Sequence, residues 1–210
     1  MKSKNQRIEE ILSLAPVVPV LQFNNTEDAI ETSRALVAGG LPVIEITMRT
    51  KEALQCISAV AKHVKGAVVG AGTVLNTAMM NDAIEVGSQF LVSPGATQEL
   101  MDANAKKDIP LLPGIATPSE AMALMNEGYE FLKFFPAEQA GGAGYLKSMG
   151  AVFQNLKLCP TGGLTLEKAP SYLALNNIIC VGGSWVAPGD LIKKKDWDGI
   201  QKLAAEAAAL

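Results

Sequence analysis

Lys133 stands in the middle of the apolar run Phe131-Leu132-Lys133-Phe134-Phe135-Pro136. In an extended strand its side chain shares a face with Phe131 and Phe135, so it is withdrawn from water with them. Loss of solvent favours a neutral amine over an ammonium ion, and a neutral amine is the form that adds to a ketone. The same burial also suits an ion-paired structural lysine, or one on an edge strand whose ammonium snorkels to solvent. Glu45 interrupts Val43-Ile44-Glu45-Ile46-Thr47 in the same way, on the face of Val43 and Thr47. A carboxylate near a Schiff-base lysine can take and return protons at the carbinolamine, at the enamine carbon and at a substrate hydroxyl, in part through water. A structural Glu45–Lys133 salt bridge needs the same proximity, so the residues alone leave both readings open.

Further groups fall where they could hold a substrate. Arg49, in Thr47-Met48-Arg49-Thr50, follows one of these runs, and its guanidinium could grip a carboxylate through two parallel hydrogen bonds or simply serve solubility at the surface. Thr73, in Val69-Gly70-Ala71-Gly72-Thr73, offers a hydroxyl at the equivalent place after the next run and carries no signal alone. Pro160-Thr161-Gly162-Gly163 and Val181-Gly182-Gly183-Ser184-Trp185 each read as a turn with bare backbone N–H groups and a hydroxyl, suited to phosphate oxygens. One Gly-Gly pair is an ordinary tight turn; two after consecutive strands are more specific. His63, the only histidine, lies in a helical stretch far from these loops and reads as a surface residue, so zinc-dependent or Ser/His chemistry lacks its ligands.

These residues are positioned by a regular alternation. Eight short β-favouring runs are expected as strands: Val17–Leu21, Val43–Thr47, Val68–Ala71, Phe90–Ser93, Leu111–Pro113, Phe131–Phe135, Leu156–Cys159 and Ile178–Val181. Between them, helical periodicity runs over Glu27–Ala38, Glu52–Val64, Ala78–Val86, Gln98–Lys107, Pro118–Asn126 and Leu166–Leu175. Thr117-Pro118-Ser119-Glu120 joins an N-cap, a first-turn proline and a capping-box glutamate. Alternating strands and helices point to a parallel α/β fold. An open doubly wound sheet competes with a (β/α)₈ barrel, but no G-x-G-x-x-G lies at the first strand-to-helix turn. The glycine-rich turns come late, where barrels commonly place phosphate, which favours the barrel.

Composition sets the outer bounds. The 210 residues, 49% of them apolar and 19% charged, suffice for one close-packed domain with an N-terminal helix, and no linker-like tract divides residues 1–210. A net charge of −3 and no basic stripe argue against nucleic acid as a partner. Lys193-Lys194-Lys195 is followed at once by Asp196 and Asp198 and reads as a solvated turn. Cys56, Cys159 and Cys180 are far apart and odd in number, so a reducing cytoplasm is the default expectation. The start of the chain lacks the apolar core of a signal peptide, and no run is long enough to span a bilayer, so no membrane partner is expected.

At these positions the sequence resembles the 2-keto-3-deoxy-6-phosphogluconate (KDPG) aldolase and 4-hydroxy-2-oxoglutarate aldolase family. The resemblance runs through Pro16-Val17-Val18-Pro19-Val20, Glu45 to Thr50, Gly70 to Leu75, Ser93-Pro94-Gly95, Lys133 to Glu138, Pro160 to Gly163 and Gly182 to Trp185, nearly the whole chain. It implies a metal- and cofactor-independent class I aldolase on a (β/α)₈ barrel, with Lys133 forming the Schiff base and Glu45 as general acid and base. It places Arg49 and Thr73 on the pyruvate carboxylate, and Thr161, Gly162, Gly163 and Ser184 around the phosphate. Pro94, Phe135, Gly182 and Gly183 join the substrate-binding positions. The family is typically homotrimeric and acts in the Entner–Doudoroff pathway, releasing pyruvate and glyceraldehyde 3-phosphate. The Phe-Phe-Pro segment and the late turn resemble the gluconate branch rather than the galactonate one, while Ala143, Gly144 and Tyr145 depart from the commoner pattern and bear on side substrates. The alternative is a catalytically idle barrel that binds a phosphorylated metabolite; retention of both Lys133 and Glu45 argues against it.

Overall fold

A computed structural model describes residues 2–210. The chain opens with helix α1 (Lys4–Leu12), whose N-cap Ser3 and Gln6 form a reciprocal capping box. Strands and helices then alternate: β1 (Val17–Leu21), α2 (Thr26–Ala38), β2 (Val43–Thr47), α3 (Ala53–His63), β3 (Val68–Gly72), α4 (Thr77–Glu85), β4 (Phe90–Val92) and α5 (Gln98–Ala105). The second half continues with β5 (Leu111–Leu112), β6 (Gly114–Ile115), α6 (Pro118–Asn126), β7 (Phe131–Phe134), α7 (Gly142–Val152), β8 (Lys157–Pro160), α8 (Ala169–Leu173), β9 (Val181–Gly183), α9 (Gly189–Lys194) and α10 (Trp197–Ala208).

Every strand pair is parallel. One sheet runs β5-β4-β3-β2-β1-β9 and the other β6-β7-β8. β5 and β6 are two halves of one extended stretch parted by Pro113, which has no N–H to give to a ladder. Single bridges link Leu158 of β8 to Ile178, ahead of β9, and Thr161, just past β8, to Gly182 of β9. The two sheets therefore meet at both ends.

Strand alternation sorts the apolar side chains into two layers. Val18, Val43, Phe90, Val92, Leu112, Phe131, Cys159 and Cys180 form one buried cluster on one face of the strands. Ile8 and Leu12 of α1 pack into that same cluster. α1 is tied down by Arg7–Asp108 at 2.6 Å, by Asn5 Nδ2 donating to the Gly128 carbonyl, and by Lys4 donating to the Asn104 carbonyl. A second, larger cluster includes Leu36, Ile44, Ile57, Val69, Leu91, Leu132 and Ile200, from the opposite strand faces and from the helices. Each such fully buried aliphatic side chain contributes about 1.5–3 kcal/mol of transfer free energy. α10 lies against the end of α2 so closely that a Cβ on Gly39 would fall 2.4 Å from that of Ala204.

The parallel α/β architecture agrees with the sequence pattern, with three local differences. The last strand is Val181–Gly183 instead of Ile178–Val181, because its hydrogen-bond register is set by β1: Val17, Val18 and Pro19 pair with Val181, Gly182 and Gly183. The helix read over Leu166–Leu175 contracts to Ala169–Leu173. The Lys193–Lys195 run is not a free turn: two lysines close α9, where they complement the carbonyl end of the helix, and Lys195 pairs with Glu27 at 2.7 Å. Helices α7 and α10 lie outside the helical stretches read from the sequence, although α10 has an Asp196 N-cap and buries Ile200, Ala204 and Ala207 on one face. α7 begins Gly-Ala-Gly, a poor helix start, and is held by burial of Leu146 and Met149.

Candidate active site

Lys133 on β7 and Glu45 on β2 belong to different sheets, yet their side chains meet in the interior: Nζ lies 3.4 Å from Oε1, and both are about 95% buried. In register, Lys133 lies beside Gly114 and Glu45 beside Gly70, and the room for the carboxylate is made at Gly72. At Gly72 a Cβ would fall 2.1 Å from Glu45 Oε1, so the carboxylate occupies space that any other residue would fill. The amine donates a long hydrogen bond to the carboxylate, beyond the 2.7–2.9 Å of a tight charge-assisted one. The Phe135 ring lies to one side, its centroid 5.5 Å from Nζ, within reach of a cation–π contact. On the same inner strand face sit Cys159 and Cys180. A hydrogen bond to Cys159, then burial, then the charges of Cys159 and Glu45 push the Cys180 thiol far up.

At the end of β3, Thr73 adopts φ 59°, the left-handed region that a β-branched residue seldom enters. Such a backbone costs about 1–3 kcal/mol and clusters at functional sites. Its Oγ1 accepts a 2.9 Å hydrogen bond from Arg49 Nε. Among the described residues the two terminal amino groups of Arg49 have no protein partner, so the hydroxyl orients the guanidinium and leaves its outer edge for a ligand. Pro94 is packed instead against the backbone, its carbonyl oxygen 2.3 Å from where a Gly114 Cβ would lie.

A cavity of about 370 Å³ opens at the carboxyl ends of the strands. Of the residues singled out in the sequence, Arg49, Phe135, Thr161, Gly162, Gly163, Gly182, Gly183 and Ser184 line it. Lys133, Glu45, Thr73 and Pro94 do not form its walls; Phe135 lines the cavity and also stands 5.5 Å from Lys133 Nζ, so it lies between the cavity and the buried pair's surroundings. Gln22, Thr47 and Ile192 also line the cavity, and nothing in the sequence context of Gln22 or Ile192 marked them. Thr47 could have been found, since it alternates onto the face of Glu45; its hydroxyl donates to the Leu21 carbonyl at 3.0 Å.

The two glycine pairs differ from one another. Gly162 and Gly163 form a true turn, with φ 108° and 76°. Gly182 and Gly183 are strand residues, which corrects the reading of that segment as a turn. They are glycines because their neighbours press on them: a Cβ on Gly182 would meet Thr161 Oγ1 at 2.3 Å, and one on Gly183 would meet the Trp185 ring at 1.7 Å. Ser184, just beyond, is exposed on the cavity wall. Among the described residues, no three His, Cys, Asp or Glu side chains gather as a metal-binding group, and no helix is long and apolar enough to cross a membrane.

Parallel strands flanked by helices, with a buried amine and carboxylate beside a cavity at the strands' carboxyl ends, define a parallel α/β protein whose site is built for a small polar ligand. The sequence pattern of the KDPG and KHG aldolases matches residues 8–203, and the chain belongs to that family. It is 45% identical to the KHG/KDPG aldolase of Escherichia coli K12, over 99% of this chain and 97% of that one. Its fold superposes with a TM-score of 0.93 on the KDPG aldolase of Legionella pneumophila, which holds pyruvate as a covalent carbinolamine; the two are 40% identical over 95% and 97% of their lengths. The aldolase of Zymomonas mobilis ZM4 with 3-phosphoglycerate is equally close in fold, at TM-score 0.93, and 47% identical over 98% and 96%.

Proposed function

We propose that this chain is a class I aldolase that cleaves KDPG to pyruvate and glyceraldehyde 3-phosphate, and also 4-hydroxy-2-oxoglutarate to pyruvate and glyoxylate. The observation that carries the reading is the Lys133–Glu45 pair, a buried amine 3.4 Å from a buried carboxylate beside an open cavity. Family membership supports it, as do the pyruvate carbinolamine in the Legionella enzyme and the name KHG/KDPG aldolase of the Escherichia coli relative.

In this reading Lys133 Nζ adds to the C2 ketone of the substrate, and loss of water from the carbinolamine gives a protonated imine. Glu45 supplies the proton to the departing hydroxyl. It then accepts the proton of the C4 hydroxyl, directly or through water, as the C3–C4 bond breaks. The bonding electrons flow into the imine, the aldehyde leaves, and the resulting enamine takes a proton at C3 before water releases pyruvate. Arg49, oriented by Thr73, grips the carboxylate, and Phe135 and Pro94 bound the reacting end. Thr161, Gly162, Gly163 and Ser184 meet the phosphate, while Gly182 and Gly183 complete the cavity wall and let Thr161 and Trp185 pack against it.

The fold that serves this chemistry is a single (β/α)₈ barrel over 1–210, β5 and β6 counting as one stave and the bridges to β9 closing the ring, with α1 plugging the amino end. A homotrimer follows the family's habit, and three free buried cysteines suit a reducing cytoplasm. The test is pyruvate release from each substrate, coupled to lactate dehydrogenase and NADH oxidation. Folded protein that releases none from either, but still binds phosphorylated acids, would be the catalytically idle barrel.

A further inference from the structure

The turn Thr161-Gly162-Gly163 is gripped from behind by the segment that follows β7 and by Lys168 at the start of α8. Ala137 N–H donates to the Thr161 carbonyl at 2.8 Å, Glu138 N–H to the Gly162 carbonyl at 3.2 Å, and Lys168 Nζ to the Gly163 carbonyl at 3.4 Å. In a trans peptide the C=O and the following N–H point in opposite directions. Three carbonyls held on one side therefore turn the N–H groups of Gly162, Gly163 and Leu164 to the other. Those residues line the cavity, and among the described residues none of these N–H groups has a protein acceptor.

The side chain of Glu138 anchors this arrangement. One carboxylate oxygen accepts from the hydroxyl of Tyr172, a ring 99% buried, and the other from Lys168. Its stem packs on the turn itself: a Cβ on Gly163 would lie 2.9 Å from Glu138 Cβ and Cγ. The hydrogen bonds from Lys168 and then Tyr172 hold the Glu138 carboxyl below the usual carboxylate range, so it is an anion at neutral pH. An anion behind an anion-binding turn would repel a phosphate unless neutralised, and Lys168 neutralises it while also touching the turn.

We propose that Glu138, clasped by Tyr172 and Lys168, is a positioning residue that aims the N–H groups of Gly162, Gly163 and Leu164 at a substrate phosphate and so sets the preference for phosphorylated over unphosphorylated substrates. This rests on the aldolase reading above. Glu138 touches no reacting atom; it acts through the turn.

The experiment measures kcat and KM for KDPG and for 4-hydroxy-2-oxoglutarate in Glu138→Ala, Glu138→Gln and Tyr172→Phe, and melting of each with and without inorganic phosphate. Glu138→Ala should raise KM for KDPG roughly tenfold, the usual worth of one lost charge-assisted hydrogen bond, with a far smaller effect on the unphosphorylated substrate. Glu138→Gln, whose amide oxygen still accepts from Tyr172, should recover part of the loss. Stabilisation by inorganic phosphate should be present in the wild type and weakened in Glu138→Ala and Tyr172→Phe. Equal losses on both substrates, or phosphate stabilisation unchanged in both variants, overturns the clasp and leaves the aldolase reading standing. A wild type that cleaves neither substrate sinks that reading instead, and the phosphate-dependent melting then still decides the clasp, whose loss in the variants would support it.

Discussion

Gly72→Ala adds one methyl group at the most constrained point of the site. The position pairs with Thr47 inside β3, so its backbone tolerates alanine, and only space is at issue. The new Cβ would sit 2.1 Å from Glu45 Oε1 and 2.7 Å from its Cδ and Cγ. Non-bonded carbon and oxygen approach to about 3.5 Å, so the whole carboxylate end must retreat by more than an ångström. Escape past Gly70 is closed, because the Phe90 ring fills that side. Glu45 is therefore pushed out of register with Lys133, already 3.4 Å away. Overpacking a buried site costs about 1–3 kcal/mol. If Glu45 transfers protons as proposed, a misplacement of this size costs on the order of 10²-fold in rate. The assay is kcat/KM for KDPG cleavage beside thermal melting: the melting temperature should fall by several degrees and kcat/KM by about two orders of magnitude. A Gly72→Ala variant with wild-type kcat/KM would refute the reasoning, since Glu45 would then have no required position.

Glu45→Gln keeps the shape but cannot exchange a proton at neutral pH; kcat should fall roughly 10²-fold or more with the fold intact, whereas loss of fold with normal activity per folded molecule would mark a structural salt bridge. Thr73→Gly relieves the left-handed strain and should raise stability by about 1 kcal/mol while lowering kcat/KM, because Arg49 loses its Oγ1 partner; a stability drop would contradict the strain. Ser184→Ala should raise KM for KDPG about 5- to 30-fold, as one hydrogen bond to a charged group is lost, with no comparable effect on 4-hydroxy-2-oxoglutarate. Equal effects on both would remove Ser184 from the phosphate site. Gly183→Val is the poorer probe, since the Trp185 ring already occupies the space a side chain would need.

Lys133 and Glu45 were legible because alternation in a strand is local: a charged residue two places from Phe131 or Val43 must face the same way as they do. That the two meet was not, since β2 and β7 are 84 residues apart in sequence and lie in different sheets, and only the packing of those sheets brings them together. Thr73 was named for its position after β3, but its φ of 59° and its contact with Arg49 have no local signature. Gly182 and Gly183 were misplaced because glycine reads as a turn, whereas here it records close neighbours, Thr161 and Trp185. Gln22 and Ile192 line the cavity through tertiary placement alone.

The central claim is that Lys133 forms the imine. Incubation with pyruvate and borohydride, followed by peptide mapping, measures this directly. One irreversible three-carbon adduct on Lys133, absent from Lys133→Ala and formed equally well in EDTA, is the predicted result. An adduct that forms as readily in Lys133→Ala, or activity abolished by EDTA, would contradict the account.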